Sequence, residues 1–452
     1  MVSIHVGMNS RIRRVVASLP VIVAAALGLR IAFALDFIRK NPAHALAVVP
    51  FLFEPGNIAH SLATGHGFAS PFRIDTGPTA WMAPVYPMLL AAIFRVFGVY
   101  TYASFLAAVT LNIAFSTLTC IPIFYAGKRI AGPGVAALAA WVWALFPNAV
   151  VLPFESLWDA CLATLLAATI LWATIAIERS TRMRDWVVHG ALWGLELMTF
   201  PTLLAIFPFL FGWLAWRGQR LRCLTAIAVA LLCCAPWMTR NYARFHTFIP
   251  FRSNAGLQLW LGTLDVPWPS GAHPINDTAE RARYIQLGEI RYMDEKEREA
   301  LALMREHPGT EARLMAQRFV ALWSAGSSHP WADFVRVRSL RSRWALLWNI
   351  GTAIAAAIAL LVLFRARNPY AIPIAVFPII VPWAYYLTLA NARYRLPVDP
   401  AVMLLTAIAL QQAFARFRTY RLRKQAYQDG SASRAQIAKP SRSHSAGSPE
   451  SR

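Results

Sequence analysis

Outside one long polar segment and the C-terminal tail the chain carries few acids: Asp36, Glu54, Asp75, Glu155, Asp159, Glu178, Asp185, Glu196 and Asp399. Glu178 and Asp185 sit among arginines and read as solvated. Glu196 falls inside an apolar segment, where an acid is expensive and marks either function or a pairing with an arginine. Glu54, Glu155 and Asp159 lie near segment ends on one side, where acids can converge on a single cavity. The bases on that side are Arg240, in PWMTRNY, and Arg393 and Arg395, in NARYRLPVDP. An arginine fork matches phosphate oxygens bidentately. Acids facing arginines at one membrane surface fit group transfer from a lipid-phosphate donor. A carboxylate would deprotonate an acceptor hydroxyl, and guanidinium groups would stabilise the departing phosphate. The same arginines also suit a plainer role, as headgroup binders or helix anchors.

The elements that must position these groups begin with the stretch Glu54–Pro87, between the first two long apolar segments. It combines Glu54, His60, His66, turn glycines and a proline-rich exit. It reads as an extracytoplasmic ledge over a membrane-embedded site, with Glu54 as the leading catalytic candidate. Its alternative role is as a structural partner for Arg240 or Arg393. Gly65 and Gly67 read as turn residues. His60 and His66 suit interfacial or loop-capping roles, and Trp81, Tyr86 and Trp260 suit the aromatic belt. Aromatic side chains beside a sugar site would also stack on its apolar face, so His60, Trp81, Tyr86 and Tyr394 are the expected cavity lining.

Of the 452 residues, 57% are hydrophobic and 15% charged. Soluble domains carry about 25% charged residues, so the chain is a polytopic membrane protein by composition. The formal net charge of +22 reflects scarce acids and Lys/Arg at segment ends. Aromatics do not interleave with a basic face, so nucleic acid is excluded as a partner. The five cysteines lie within apolar segments and read as small hydrophobes. No cysteine spacing suggests a disulfide or metal site.

Apolar runs of spanning length fall near 15–35, 101–127, 133–151, 157–177, 186–200, 201–216, 222–238, 344–364, 370–390 and 398–415. The run 84–98 is shorter, broken by Pro84 and Pro87, and reads as interfacial. Arg11, Arg13 and Arg14 precede the first run without a small-residue cleavage site, so that helix is expected to be retained. Lys/Arg bias in alternate loops places both termini in the cytoplasm. Four regions follow: a membrane bundle over 1–238 with its ledge at 36–98, a helical outer region over 239–343, further membrane helices over 344–417, and a basic cytoplasmic tail, 418–452, expected to be disordered. In the outer region a helix is expected from Asp277/Glu280, a capping-box pattern, to His307-Pro308-Gly309. A second, amphipathic, is expected over 310–324. Arg336, Arg338, Arg341 and Arg343 before the eighth span read partly as interface anchors.

Beyond spacing, an ordered series of motifs is similar to the bacterial family-C (GT-C) glycosyltransferases. These are the enzymes related to protein O-mannosyltransferases, lipid A aminoarabinose transferase and the RgtA/B/C/D-like group. The series runs Glu54-x-Gly56-x-Ile58-Ala59-x-Ser61-Leu62-Ala63-x-Gly65-x-Gly67-Phe68, Gly77-Pro78-Thr79-Ala80-Trp81, Ala83-Pro84-x-Tyr86-Pro87 and Phe97-Gly98. It continues through Pro236-Trp237, Arg240-Asn241-Tyr242, Arg252-Ser253-Asn254, Leu259-Trp260-Leu261-Gly262 and Arg393-Tyr394-Arg395-x-Pro397. The resemblance implies an all-α integral membrane fold of about ten transmembrane helices with a helical first outer loop and a larger later one. It implies a glycosyltransferase of the inner membrane that moves a hexose or pentose from a polyprenyl-phosphate carrier to an acceptor outside. The family's first-loop acid, its general base, falls on Glu54, where relatives usually carry Asp and often a second acid. Its second-loop acid falls on Asp159. Its late arginine motif, which contacts donor phosphate, falls on Arg393 to Arg395. Some relatives use a divalent metal; no His/Asp cluster here calls for one. The competing expectation is a transporter or flippase for a polyprenyl-linked sugar that binds without reacting. The large outer loop over the ledge suits a covered active site better than alternating access.

Overall fold

A computed structural model describes residues 15–42, 49–264, 271–324, 326 and 340–437, with backbone alone for 340–342 and 425–437. Among these the regular structure is helical, and the only strand-like feature is an isolated bridge between Ala69 and Pro78. The protein is a multi-pass membrane protein. Among the described residues six helices are long and apolar enough to cross a bilayer, or seven if the pair Pro133–Ala144 and Pro147–Glu155, bent by 42°, is one span. All ten expected segments are helical, but several are shorter or joined. Pro201–Phe245 merges two of them across Gly218, whose φ of 90° breaks the helical path. Ala371–Ile380 and Trp383–Leu387 are divided at Pro382, which has no N–H to continue the ladder. The run 84–98 forms Val85–Phe97, 13 residues with Tyr86, Leu90 and Phe94 buried.

Lipid supplies no hydrophobic drive between helices, so close approach at small residues holds the bundle. Gly190 and Gly194, on Met183–Leu197, meet the helix Arg220–Phe245 directly. A Cβ on Gly190 would come within 2.3 Å of the Ala226 carbonyl oxygen, and one on Gly194 within 2.4 Å of Cys233 Cβ. The buried core includes Trp143, Trp186 and Trp193. The opposite face of Arg220–Phe245 exposes Leu221, Leu224, Leu231 and Leu232, as a lipid-facing surface would.

The ledge is built from the helix Glu54–Ala63 and the irregular segment after it. Pro55 pre-sets the first turn. Gly56 admits the Phe51 carbonyl oxygen, which a Cβ would approach to 2.0 Å. A second apolar cluster lies beneath, where Phe51, Ala59, Tyr86, Leu90, Phe94, Phe105 and Phe154 pack.

In the outer region the expected helix from Asp277 divides at Gly288, whose φ of 74° no ordinary helix interior adopts. Thr278–Leu287, whose N–H groups at Ala279 and Glu280 donate to Asp277, is followed by Glu289–Glu306. The amphipathic helix is Pro308–Trp323. It packs on the bundle through Arg318, which donates to Glu311 and to the carbonyls of Gly262 and Tyr386. The last helix runs from Asp399 to Ile437, past the boundary expected for a disordered tail. Residues 416–437 are rich in Arg, Lys, Gln and Ala, strong helix formers, so a membrane helix continues through them at little cost. Residues 438–452, Arg336 and Arg338, and the Arg341 side chain lie outside what the structure describes.

Candidate active site

Five separated parts of the chain converge on a cavity of about 670 Å³. The ledge contributes Glu54 and Trp81, the 155–159 turn contributes Glu155 and Asp159, and the segment after Arg220–Phe245 contributes Arg252. The turn before Thr278 supplies His273, and the stretch after Pro382 supplies Tyr385, Arg393 and Tyr394. No single element could assemble this set.

Glu54 is the first residue of its helix and is 5% exposed. The helix N-terminus favours an anion there. Its Oε1 lies 3.3 Å from His273 Nε2. Burial holds the His273 imidazole below its ordinary 6.5; Glu54 opposes that and Arg393 adds to it. Arg393 stands on the other side, its guanidinium 3.9 Å from the centroid of the Trp158 ring. Its Nη2 donates to the Tyr394 hydroxyl at 3.0 Å, while its buried Nε has no hydrogen-bond partner among the described residues. Burial pulls the Arg393 pKa down, but Tyr394, Glu54 and Asp159 outweigh it and hold the pKa above the ordinary value. The Tyr394 ring stacks flat on Tyr385 at 4.8 Å. Asp159 precedes the span Ala160–Ile177. Burial raises its carboxyl to about 6 against the opposing pull of Arg393 and Arg252. Arg252 makes only a long contact, 3.5 Å from Nη2 to Thr202 Oγ1. Among the described residues, no group of three or more His, Cys, Asp or Glu side chains could hold a metal.

Of the residues expected at the site, Glu54, Asp159, Arg393, Tyr394 and Trp81 line this cavity and four others do not. Arg240 turns into the protein. Its guanidinium donates to the carbonyls of Thr79 at 2.7 Å and Phe68 at 2.8 Å and lies over Trp237, so it clamps the ledge rather than a ligand. Arg395 is 1% exposed, with Nε on Asp399 at 2.7 Å and Nη1 on the Trp323 carbonyl. His60 stacks on Tyr100 and lines a separate shallow cavity over the ledge. Tyr86 is buried in the cluster beneath the ledge, its hydroxyl 3.2 Å from Asn112 Oδ1. Side-chain direction is not legible from spacing.

Three further residues carry the geometry. His273, in GAHPIND, has no sequence signal beyond a histidine in a turn ahead of a helix cap, and Tyr385 sits in an unremarked apolar run. Glu289 anchors the ledge exit: Thr79 Oγ1, the Ala80 N–H, Ser253 Oγ and the Tyr284 hydroxyl all donate to it. The three-residue spacing of Glu289 and Tyr292 hid this role, because it reads as ordinary amphipathic helix.

Residues 81–239 match the family of dolichyl-phosphate-mannose-protein mannosyltransferases. No curated protein matches the chain by sequence. Among solved structures, the chain is similar to the oligosaccharyltransferase of Archaeoglobus fulgidus in complex with Zn and sulfate. The TM-score is 0.53 at 13% identity, over 89% of this chain and 49% of that one. The same enzyme, AglB, in complex with an inhibitory peptide and a dolichol-phosphate gives a TM-score of 0.51 at 14% identity, over 89% and 52%. The chain thus spans about half the length of those oligosaccharyltransferase chains. The chain therefore has a membrane fold of the family-C (GT-C) type, like that of these oligosaccharyltransferases.

Proposed function

We propose that the protein is a glycosyltransferase that moves a hexosyl or pentosyl group from a polyprenyl-phosphate donor to an acceptor at the outer face of the cytoplasmic membrane. The observation that carries this reading is the shared cavity of Glu54 and Arg393, with a buried Arg393 Nε that has no partner among the described residues. A phosphate oxygen would complete that guanidinium, with Arg252 as the second cation in place of Arg240 and Arg395. The match to a family using dolichyl-phosphate-mannose, and the dolichol-phosphate held by AglB, support a lipid-phosphate donor.

In the reaction the acceptor oxygen attacks the anomeric carbon of the sugar while the bond from that carbon to the phosphate oxygen breaks. The electron pair leaves on the phosphate, where Arg393 and Arg252 stabilise it. The acceptor proton passes to Glu54 as general base. Asp159, which lines the same cavity as Arg393, balances the cation when the donor is away, and its elevated pKa lets it take a proton when the phosphate arrives. Tyr385 and Tyr394 offer a stacked aromatic surface for the sugar.

The test supplies membranes containing the protein with undecaprenyl-phosphate sugars carrying labelled hexose or pentose. A labelled product that depends on the protein supports transfer. Labelled lipid that crosses the bilayer with no product would instead support a flippase and overturn the reading.

A further inference from the structure

His273 is built into its position with more contacts than a turn residue needs. Its carbonyl accepts the N–H groups of Asn276 and Asp277, both at 2.8 Å. Its ring meets Trp81 edge-on at a centroid distance of 5.7 Å, and the residue is 3% exposed. Its Nδ1 accepts the Ile275 N–H at 3.2 Å. That bond fixes the tautomer, since a ring nitrogen accepting an N–H carries no proton of its own. The proton is therefore on Nε2, which faces Glu54 Oε1 at 3.3 Å. Charging the imidazole would make both nitrogens donors and would set Nδ1–H against the Ile275 N–H.

We infer that His273 is the positioning residue of the Glu54 carboxylate: a neutral imidazole that donates Nε2–H to one oxygen and leaves the other for the acceptor hydroxyl. The inference rests on the reading of Glu54 as base. A neutral donor orients a carboxylate without the quenching that a second cation beside Arg393 would bring. The depressed basicity of the buried ring agrees with this state. The charged groups around the pair are Arg393, then Asp159, Arg252, Glu155 and Glu297 on the other cavity walls.

The test compares His273→Ala and His273→Gln, using the undecaprenyl-phosphate sugar that the wild-type protein transfers. A glutamine amide donates at a similar reach to Nε2 and does not titrate. Loss of a hydrogen bond to a charged group in His273→Ala should lower kcat roughly ten- to a hundredfold, with donor KM changed by less than about threefold because the arginines are untouched. It should also move the acid limb of the pH–rate profile upward by about one unit, since the charged carboxylate loses a donor. His273→Gln should restore both. A wild-type profile in His273→Ala, or an equally impaired His273→Gln, would overturn the inference. Should the alanine variant fail to fold, 15N NMR of histidine-labelled wild-type protein decides, with the His273 signal assigned by its loss in His273→Gln. A neutral Nε2–H ring at pH 7 supports the inference; an imidazolium or an Nδ1–H ring overturns it. Glu54→Gln, assayed in parallel, separates the two readings: transfer retained there refutes the base but leaves the tautomer result standing.

Discussion

Two buried carboxylates at the first turns of their helices have opposite fates. Glu289, 6% exposed, accepts hydrogen bonds from Thr79, Ala80, Ser253 and Tyr284. Glu54, 5% exposed, meets His273 and faces a cavity. The arginines of the late motif repeat the contrast. Arg395 is paired with Asp399, while Arg393, two residues earlier, keeps an Nε with no partner among the described residues, beside the same cavity as Glu54. A saturated polar group fixes the fold, whereas one with unused capacity is available to a ligand. The Glu289 network and Arg240 hold the ledge on the outer helices, and that rigid seat keeps Glu54 and Trp81 over the membrane helices.

The contrast can be broken by substitution. Glu289→Ala should have the largest structural effect, because four donors lose their acceptor. A loss on the order of 3–5 kcal/mol is expected, read as a lower thermal midpoint of the detergent-solubilised protein. Arg395→Ala leaves Asp399 buried and unpaired, at a cost of about 3 kcal/mol by the same measurement. Arg393→Ala should fold with a near-wild-type midpoint but bind undecaprenyl phosphate roughly tenfold or more weakly, as expected for a lost charge-assisted pair. If Arg393→Ala and Arg395→Ala behave alike in both assays, the division between the two arginines fails.

A further effect concerns pH. Asp159 titrates near 6 in the folded protein against an ordinary 3.8. The folded state therefore holds this proton more tightly, and the resulting stability is full below pH 3.8 and is lost as pH rises through 6. Asp159→Asn should remove that component, so its thermal midpoint should gain on wild type between pH 4 and 7. A constant difference between the two across that range would contradict the assignment.

The membrane architecture was legible because lipid dictates long apolar runs and puts arginines at their ends. Glu54, Asp159 and Arg393 stood out for a related reason, as scarce charges at the ends of such runs. Helix breaks at Gly218 and Gly288 were not legible, since a glycine's φ depends on the packing around it. Arg240 and Arg395 lie on the expected stretch of chain yet point inward, toward carbonyls and a carboxylate contributed by distant residues. His273 was invisible for the same reason: its role exists only where a turn from the outer region reaches back over the ledge.

The most direct measurement is labelled-sugar transfer by Glu54→Gln beside Glu289→Gln, with thermal midpoints for both. The account predicts that Glu54→Gln keeps the wild-type midpoint and loses transfer by at least a hundredfold, the scale of a general base, while Glu289→Gln loses stability first. Full transfer by a folded Glu54→Gln protein would contradict it.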